Sequence, residues 1–171
     1  MSRRDLLIAP ICEAALLLAV ASAGWLLHKP LIFASLGPTA YELIETPERQ
    51  TARPYNVVVG HLIGVLAGFA AIYATHAYSA PGLSTGAVTL PRMWAAMLAA
   101  ALTVFFTLLL QASQPAAVST TLLIALGYLQ QGRDVFVIMG AVLLMLLCGE
   151  PLRLWRLRDK SQPAGQPSPR P

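Results

Sequence analysis

The feature that most limits what this chain can become is a series of apolar stretches close to the length of a bilayer span. About 20 consecutive apolar residues cross a hydrocarbon core as a helix. Stretches of that order run over residues 6–27, 57–78, 92–110 and 135–152. A water-soluble fold would have to hide all four, yet only 12% of the 171 residues are charged, about half of the roughly 25% found in soluble domains. Too little polar surface remains to coat a globule in water. The chain is therefore expected to be an all-α membrane protein, and its many Ala and Gly residues suit closely packed spans.

Two shorter apolar segments lie between the long ones, over residues 31–44 and 115–129. A 15-residue helix covers about 22 Å, less than the roughly 30 Å of hydrocarbon. Each is thus a broken crossing helix or a re-entrant one. Both carry a proline after an Ala-Ser pair, in Ala34-Ser35-Leu36-Gly37-Pro38 and in Ala112-Ser113-Gln114-Pro115. The order is long, short, long, repeated once. It predicts a compact helical bundle with four long spans and two short broken or re-entrant helices. If all six segments cross, the second half is inverted relative to the first, a 3+3 inverted repeat of the kind common in secondary transporters. The transmembrane helical domain covers 1–158. Residues 159–171, rich in Pro and Gln, cannot build a core and are expected to be a disordered cytoplasmic tail.

The basic residues set the orientation. With six crossings and the N-terminus inside, nine of the twelve Lys and Arg fall inside and three, Lys29, Arg92 and Arg133, fall outside. With re-entrant short segments the split is eight to four. Either way both termini are cytoplasmic, in a membrane expected to be a bacterial inner membrane. The net charge of +4 does not imply nucleic acid, because the basic residues sit at the ends of apolar blocks and form no stripe. Cys12 and Cys148 lie inside apolar segments, without disulfide or metal spacing. Trp25, Trp94 and Trp155 lie near segment ends, as an interfacial belt requires. Glu42, Glu45, Glu48 and Arg49 look like a solvated cytoplasmic edge, and Arg153, Arg156, Arg158 and Lys160 like a basic cluster facing anionic lipid. No catalytic constellation, metal site or cofactor motif is present, so no enzyme and no cofactor is expected.

Polar residues within a span carry the functional expectation. The first group is Arg53-Pro-Tyr-Asn56-Val-Val-Val-Gly60-His61, where Asn56 and Gly60 share a helix face and His61 adjoins it. Gly60 and Gly64 also form a Gly-x-x-x-Gly pair, which permits close helix approach. The second group is Ser113, Gln114 and Ser119 around Pro115, with Thr120 and Thr121 beyond. Pro115 suits the first turn of a helix, whose free N–H groups and positive dipole end favour an anion. The matching place in the first half holds Ser35, Gly37 and Thr39. Against this stands the bland reading that Ser and Thr bond their own helix backbone.

Ser35-Leu-Gly-Pro-Thr-Ala40, Arg53 to His61 and the Pro115-Ala-Ala segment together resemble the HPP family of transmembrane proteins, over residues 6–150. The resemblance is strongest at Pro54, Asn56, Val57, Gly60 and His61, and extends to Pro115. The family's signature His-Pro-Pro is replaced here by Ser113-Gln114-Pro115. Plant and cyanobacterial members are associated with nitrite transport, so the resemblance implies a transporter or channel for a small inorganic anion, nitrite leading. The substrate-binding candidates are Ser35, Gly37, Thr39, Asn56, His61, Ser113, Gln114 and Ser119. The expected partners are the anion, the lipid bilayer and further copies of the chain in a homo-oligomer. The alternative is a membrane structural or interaction subunit without transport.

Overall fold

A computed structural model describes residues 5–161. Among these the chain forms six α-helices, joined by extended segments and three short 3-10 turns. They are α1 (Asp5–Leu27), α2 (Leu36–Glu45), α3 (Pro54–Ala74), α4 (Leu90–Leu109), α5 (Ala116–Ala125) and α6 (Asp134–Ser161). The four long ones, α1, α3, α4 and α6, are each long and apolar enough to cross a membrane. Their outer faces expose large apolar side chains such as Leu18, Leu66, Phe105 and Leu147, the surface lipid requires. Trp25 and Trp94 stand exposed at one end of the bundle and Trp155 toward the other.

The two short helices are the second halves of full traverses. After α1 the chain turns at His28, which adopts a left-handed backbone conformation (φ 51°), with Lys29 N–H bonded to the Gly24 carbonyl. It then runs back without helix through Leu31, which packs beside Gly24. By Leu43 it lies against Leu16 and Gly149, so the extended stretch and α2 together retrace α1. Likewise α4 ends in a left-handed residue, Gln111 (φ 51°), with Ala112 N–H bonded to the Thr107 carbonyl. The chain next passes Gly60 at Gln114, Gly64 at Ala117 and Gly68 at Ile124, and α5 ends beside Arg92 at the start of α4. Both segments therefore run the depth of the bundle, and the re-entrant alternative does not hold.

The boundaries differ from the sequence reading in two places. Residues 31–35 are expected to be helical, but 31–33 have no regular structure and 34–35 form the turn that starts α2: Pro30 prevents the Schellman-type turn after α1 from continuing into a new helix. At the far end, α6 was expected to stop near Pro151 and continues to Ser161. Proline removes one helical N–H, but Arg153 bonds Glu150 and the Pro47 carbonyl, and Arg156 bonds the Ile44 carbonyl, so the last turns are pinned to α2. The tail expected over 159–171 falls outside the described residues from 162 onward.

Packing divides into two apolar groups. One joins α1, α2 and α6 through Leu16, Val20, Leu36, Leu43, Ala141 and Met145. The other joins α3, α4, α5 and the start of α6 through Val65, Ile72, Ala99, Ile124 and Ile138. The Gly60-Gly64-Gly68 stripe is what admits α5. A Cβ on these glycines would lie 2.5 Å from Gln114 Cβ, 2.6 Å from the Ala117 carbonyl oxygen and 2.9 Å from Ile124 Cβ. The Gly-x-x-x-Gly pattern thus serves helix packing, α5 lying in a groove that side chains would close.

Candidate functional site

Because α2 and α5 begin inside the bundle and run toward opposite ends, their first turns meet in its interior. The Thr120 hydroxyl, one turn into α5, donates to the Ser35 hydroxyl at the start of α2 at 2.8 Å. Thr39 donates to the Ser35 carbonyl at 2.9 Å, and its oxygen stands 3.4 Å from His61 Nε2 on α3. His61 Nδ1 donates to the Val57 carbonyl at 2.8 Å. Ser35, Thr39, His61 and Thr120 are all fully buried. Thr121 on the next position of α5 is also buried, and its hydroxyl has no partner among the described residues. Three elements thus bring four polar side chains, Ser35, Thr39, His61 and Thr120, to one interior place.

Donor counting shows what this chain can do. With Nδ1 protonated, a neutral His61 offers a lone pair at Nε2. Thr39 has one hydroxyl proton, which serves either the Ser35 carbonyl or His61 Nε2. A second proton on His61 would make Nε2 a donor to the Thr39 oxygen.

The outer ends of both short helices are closed by buried arginines. Arg92, at the start of α4, donates to the Ala125 carbonyl at 3.2 Å, to Ala80 at 2.8 Å, to Pro81 at 3.4 Å and to Gln130. It is 1% exposed and has no carboxylate partner among the described residues. Arg156, on α6, is fully buried and donates to the Ile44 carbonyl at 3.2 Å, with Asp159 and Glu45 nearby. A helix C-terminus carries a partial negative charge and its N-terminus a partial positive one. Here both negative ends meet a guanidinium at the bundle's two faces, and both positive ends point inward. Neither α2 nor α5 has a side-chain N-cap.

The remaining candidates separate from this centre. Asn56 and Gln114 lie nearer the start of α3: Asn56 donates to the Ser113 carbonyl at 3.1 Å and Gln114 to the Thr51 carbonyl at 3.3 Å. Ser113 contributes that carbonyl, while its side chain is exposed. Gly37 has open space where a Cβ would be, so no neighbour abuts it, and Ser119 is half-buried while Thr120 makes the contact. Neither Gly37 nor Ser119 joins the cluster. Two expectations for the edge residues are corrected as well. Glu45 pairs with Arg156 and Lys160, and Glu42 is half-buried beside Thr51 and Gln114, because the end of α2 is covered by α6 and the turn before α3. Arg153 and Arg156 serve these contacts more than lipid.

Thr120, Arg92 and Arg156 carry more of this arrangement than the sequence reading gave them. The two arginines were counted only as charges flanking spans, and nothing in the sequence marks them as caps of distant helices. A family model described as HPP, transmembrane region, matches residues 1–152. No curated protein and no solved structure matches the chain.

Proposed function

Because the chain belongs to the HPP family of transmembrane proteins, we propose that it carries a small inorganic anion across a membrane, with nitrite as the leading substrate. The observation that supports this reading is the pair of short helices whose N-terminal ends point into the bundle while buried arginines hold their C-terminal ends. Half-helix starts near mid-membrane are a recurrent way to bind an anion without a full charge. A monovalent anion needs only such modest compensation, and deep binding would slow its release. In this mechanism the hydroxyls of Ser35, Thr39 and Thr120 replace part of the anion's hydration. A proton taken up by His61 adds a positive charge as the anion arrives and turns Nε2 into a donor. Asn56 and Gln114 stand on the approach from the start of α3. That approach opens from a polar basin of about 350 Å³ lined by Gln50, Arg53, Tyr55, Asn56, Leu110 and Gln111.

With six traverses, the excess of basic residues at one side supports a reading with both termini in the cytoplasm, and we take the membrane to be a bacterial inner membrane. The packed pairs fit an inverted repeat: α2 packs on α1 and α6, and α5 on α4 and α3. Exchanging α1 with α4, α2 with α5 and α3 with α6 maps one set onto the other. We read the chain as a carrier or channel on this plan, not as an enzyme. The replacement of the family's His-Pro by Ser113-Gln114 favours a second reading, a membrane interaction subunit without transport.

The test is anion flux into proteoliposomes, comparing nitrite, nitrate, formate and chloride at two pH values. Saturable nitrite uptake abolished by His61→Ala supports the proposal. Absence of flux from folded protein moves the assignment to the interaction subunit.

A further inference from the structure

Two hollows on the surface of the bundle meet at one residue. Between α3 and α4 runs a groove of about 290 Å³ lined by apolar side chains, among them Ile63, Leu66, Ala67, Leu102, Phe106 and Leu110. Ile63 and Ala67 are buried at its floor, while Leu66 and Phe106 stand exposed along its sides. The small side chain of Ala67 leaves the surface hollow there. From Leu102 to Leu110 the groove follows α4 to its C-cap, about 12 Å at 1.5 Å per residue. One leaflet offers about 15 Å of hydrocarbon, half of the roughly 30 Å core, so the groove stays within a single leaflet.

At its Leu110 end the groove adjoins the polar basin at the start of α3, which Leu110 also lines. Tyr55 marks the boundary. Its hydroxyl donates to the Leu110 carbonyl at 3.1 Å and its ring is exposed, as suits a tyrosine at headgroup level. The one charged side chain lining the basin is Arg53, beside the amides of Gln50, Asn56 and Gln111. No acidic residue lines it. Arg53 is exposed and makes no ion pair among the described residues.

We propose that groove and basin together bind one anionic glycerophospholipid, its phosphate beside Arg53 and one acyl chain laid between α3 and α4. An apolar channel within one leaflet, joined at its outer end to a polar hollow with an unpaired guanidinium, matches such a lipid in shape and in the order of its charges. A zwitterionic lipid fills the groove equally well but brings a cation of its own toward Arg53, so the basin selects net negative charge. A second copy of this chain fits less well, because a twofold contact through the groove brings two Arg53 guanidinium groups to the same end of the interface. The basic cluster of α6 does not offer the same site, since Arg153 and Arg156 are engaged within the protein. A head held by Arg53 stands at the mouth from which the proposed anion approach opens, so lipid occupancy and anion entry compete there. The inference does not depend on anion transport, and its test reads lipid binding alone.

The experiment uses the full chain purified in detergent and native mass spectrometry of its lipid adducts. Dioleoyl phosphatidylglycerol and dioleoyl phosphatidylcholine are titrated separately, and glycerol phosphate serves as a head without chains. Wild-type protein is expected to bind one phosphatidylglycerol more tightly than it binds phosphatidylcholine. The attraction of one basic residue to anionic lipid amounts to about fivefold in affinity, so Arg53→Gln should weaken phosphatidylglycerol by about that factor and leave phosphatidylcholine unchanged. Ala70 lines the groove from an exposed position, so Ala70→Trp obstructs it without entering the core and should weaken both lipids. Lys29→Gln, at the opposite end of the bundle, should change neither. Equal binding of the two lipids by the wild type overturns the proposal. So does a preference for phosphatidylglycerol that survives Arg53→Gln, binding that Ala70→Trp leaves unchanged, or displacement of the lipid by an equal concentration of glycerol phosphate. A lipid-free dimer that Ala70→Trp dissociates would assign the groove to a second copy of the chain and overturns it as well.

Discussion

Replacing Gly64 by alanine tests the placement of α5 most directly. A Cβ there would lie 2.6 Å from the Ala117 carbonyl oxygen, and ordinary contact begins at 3.4 Å, a deficit of 0.8 Å. The obstructing atom is backbone in the first turn of α5, so no rotamer change relieves the clash and the helix itself must move. Overpacking of this kind costs about 1–3 kcal/mol. A shift of that size, transmitted along α5, is enough to carry the 2.8 Å Thr120–Ser35 bond out of hydrogen-bonding range. Displacement of about 1 Å at a site that must fit its ligand reduces rates by up to about 100-fold. Gly140→Ala is the control. It also lies in a helix, nothing stands within 4 Å of its Cβ position, and helix propensity favours alanine by up to about 1 kcal/mol. Thermal melting in detergent and nitrite flux in proteoliposomes are the assays. Gly64→Ala is expected to melt below wild type and to lose flux tenfold or more, with Gly140→Ala at or above wild type in both. If the two variants melt alike at wild-type temperature, α5 does not lie in the glycine groove.

Arg92→Met removes donors to three backbone carbonyls and Gln130 and should cost about 3 kcal/mol, read as a lowered Tm and faster proteolysis within residues 80–89. Thr120→Val removes one interhelical hydrogen bond, worth about 0.6 kcal/mol in a membrane interior, so its melting curve should barely move while nitrite flux falls. Gln111→Gly should raise stability by about 1 kcal/mol, because it relieves a left-handed residue at the end of α4. A cysteine at Ser84, in a chain whose own cysteines are replaced, should react with an impermeant maleimide from outside intact cells, and one at Glu48 should not. The reverse pattern would invert the orientation.

The four long spans were legible because composition alone betrays them: α1, α3, α4 and α6 coincide with the longest apolar runs. The break over residues 31–33 was not, because an apolar run reads the same whether irregular or helical, and Pro30 was the only local sign of it. Of the site, the intramembrane cost of polarity drew attention to Ser35, Thr39 and His61, which the fold brings together. That criterion cannot say which neighbouring hydroxyl turns inward, so Ser119 was selected where Thr120 makes the bond. Gly37 was selected from its place beside Pro38, yet it meets no neighbour. The roles of Arg92 and Arg156 depend on helices more than 30 residues away in sequence, and no local pattern encodes such a contact.

The extended entry to α2 also governs the order in which this protein can be assembled. Residues 28–35 carry backbone amides and carbonyls that lack the internal ladder of a helix, and lipid offers them nothing. Their shelter is α1 on one side and α6 on the other, where Phe33 and Leu31 pack. α6 begins 98 residues after α2 does, which at roughly 5–20 residues per second is about 5–20 s of synthesis. During that interval the segment from 28 to 45 has left the ribosome without its cover. It must wait at the insertion machinery or in the headgroup layer, and a nascent chain stopped before residue 134 should be a ready substrate for membrane quality-control proteases.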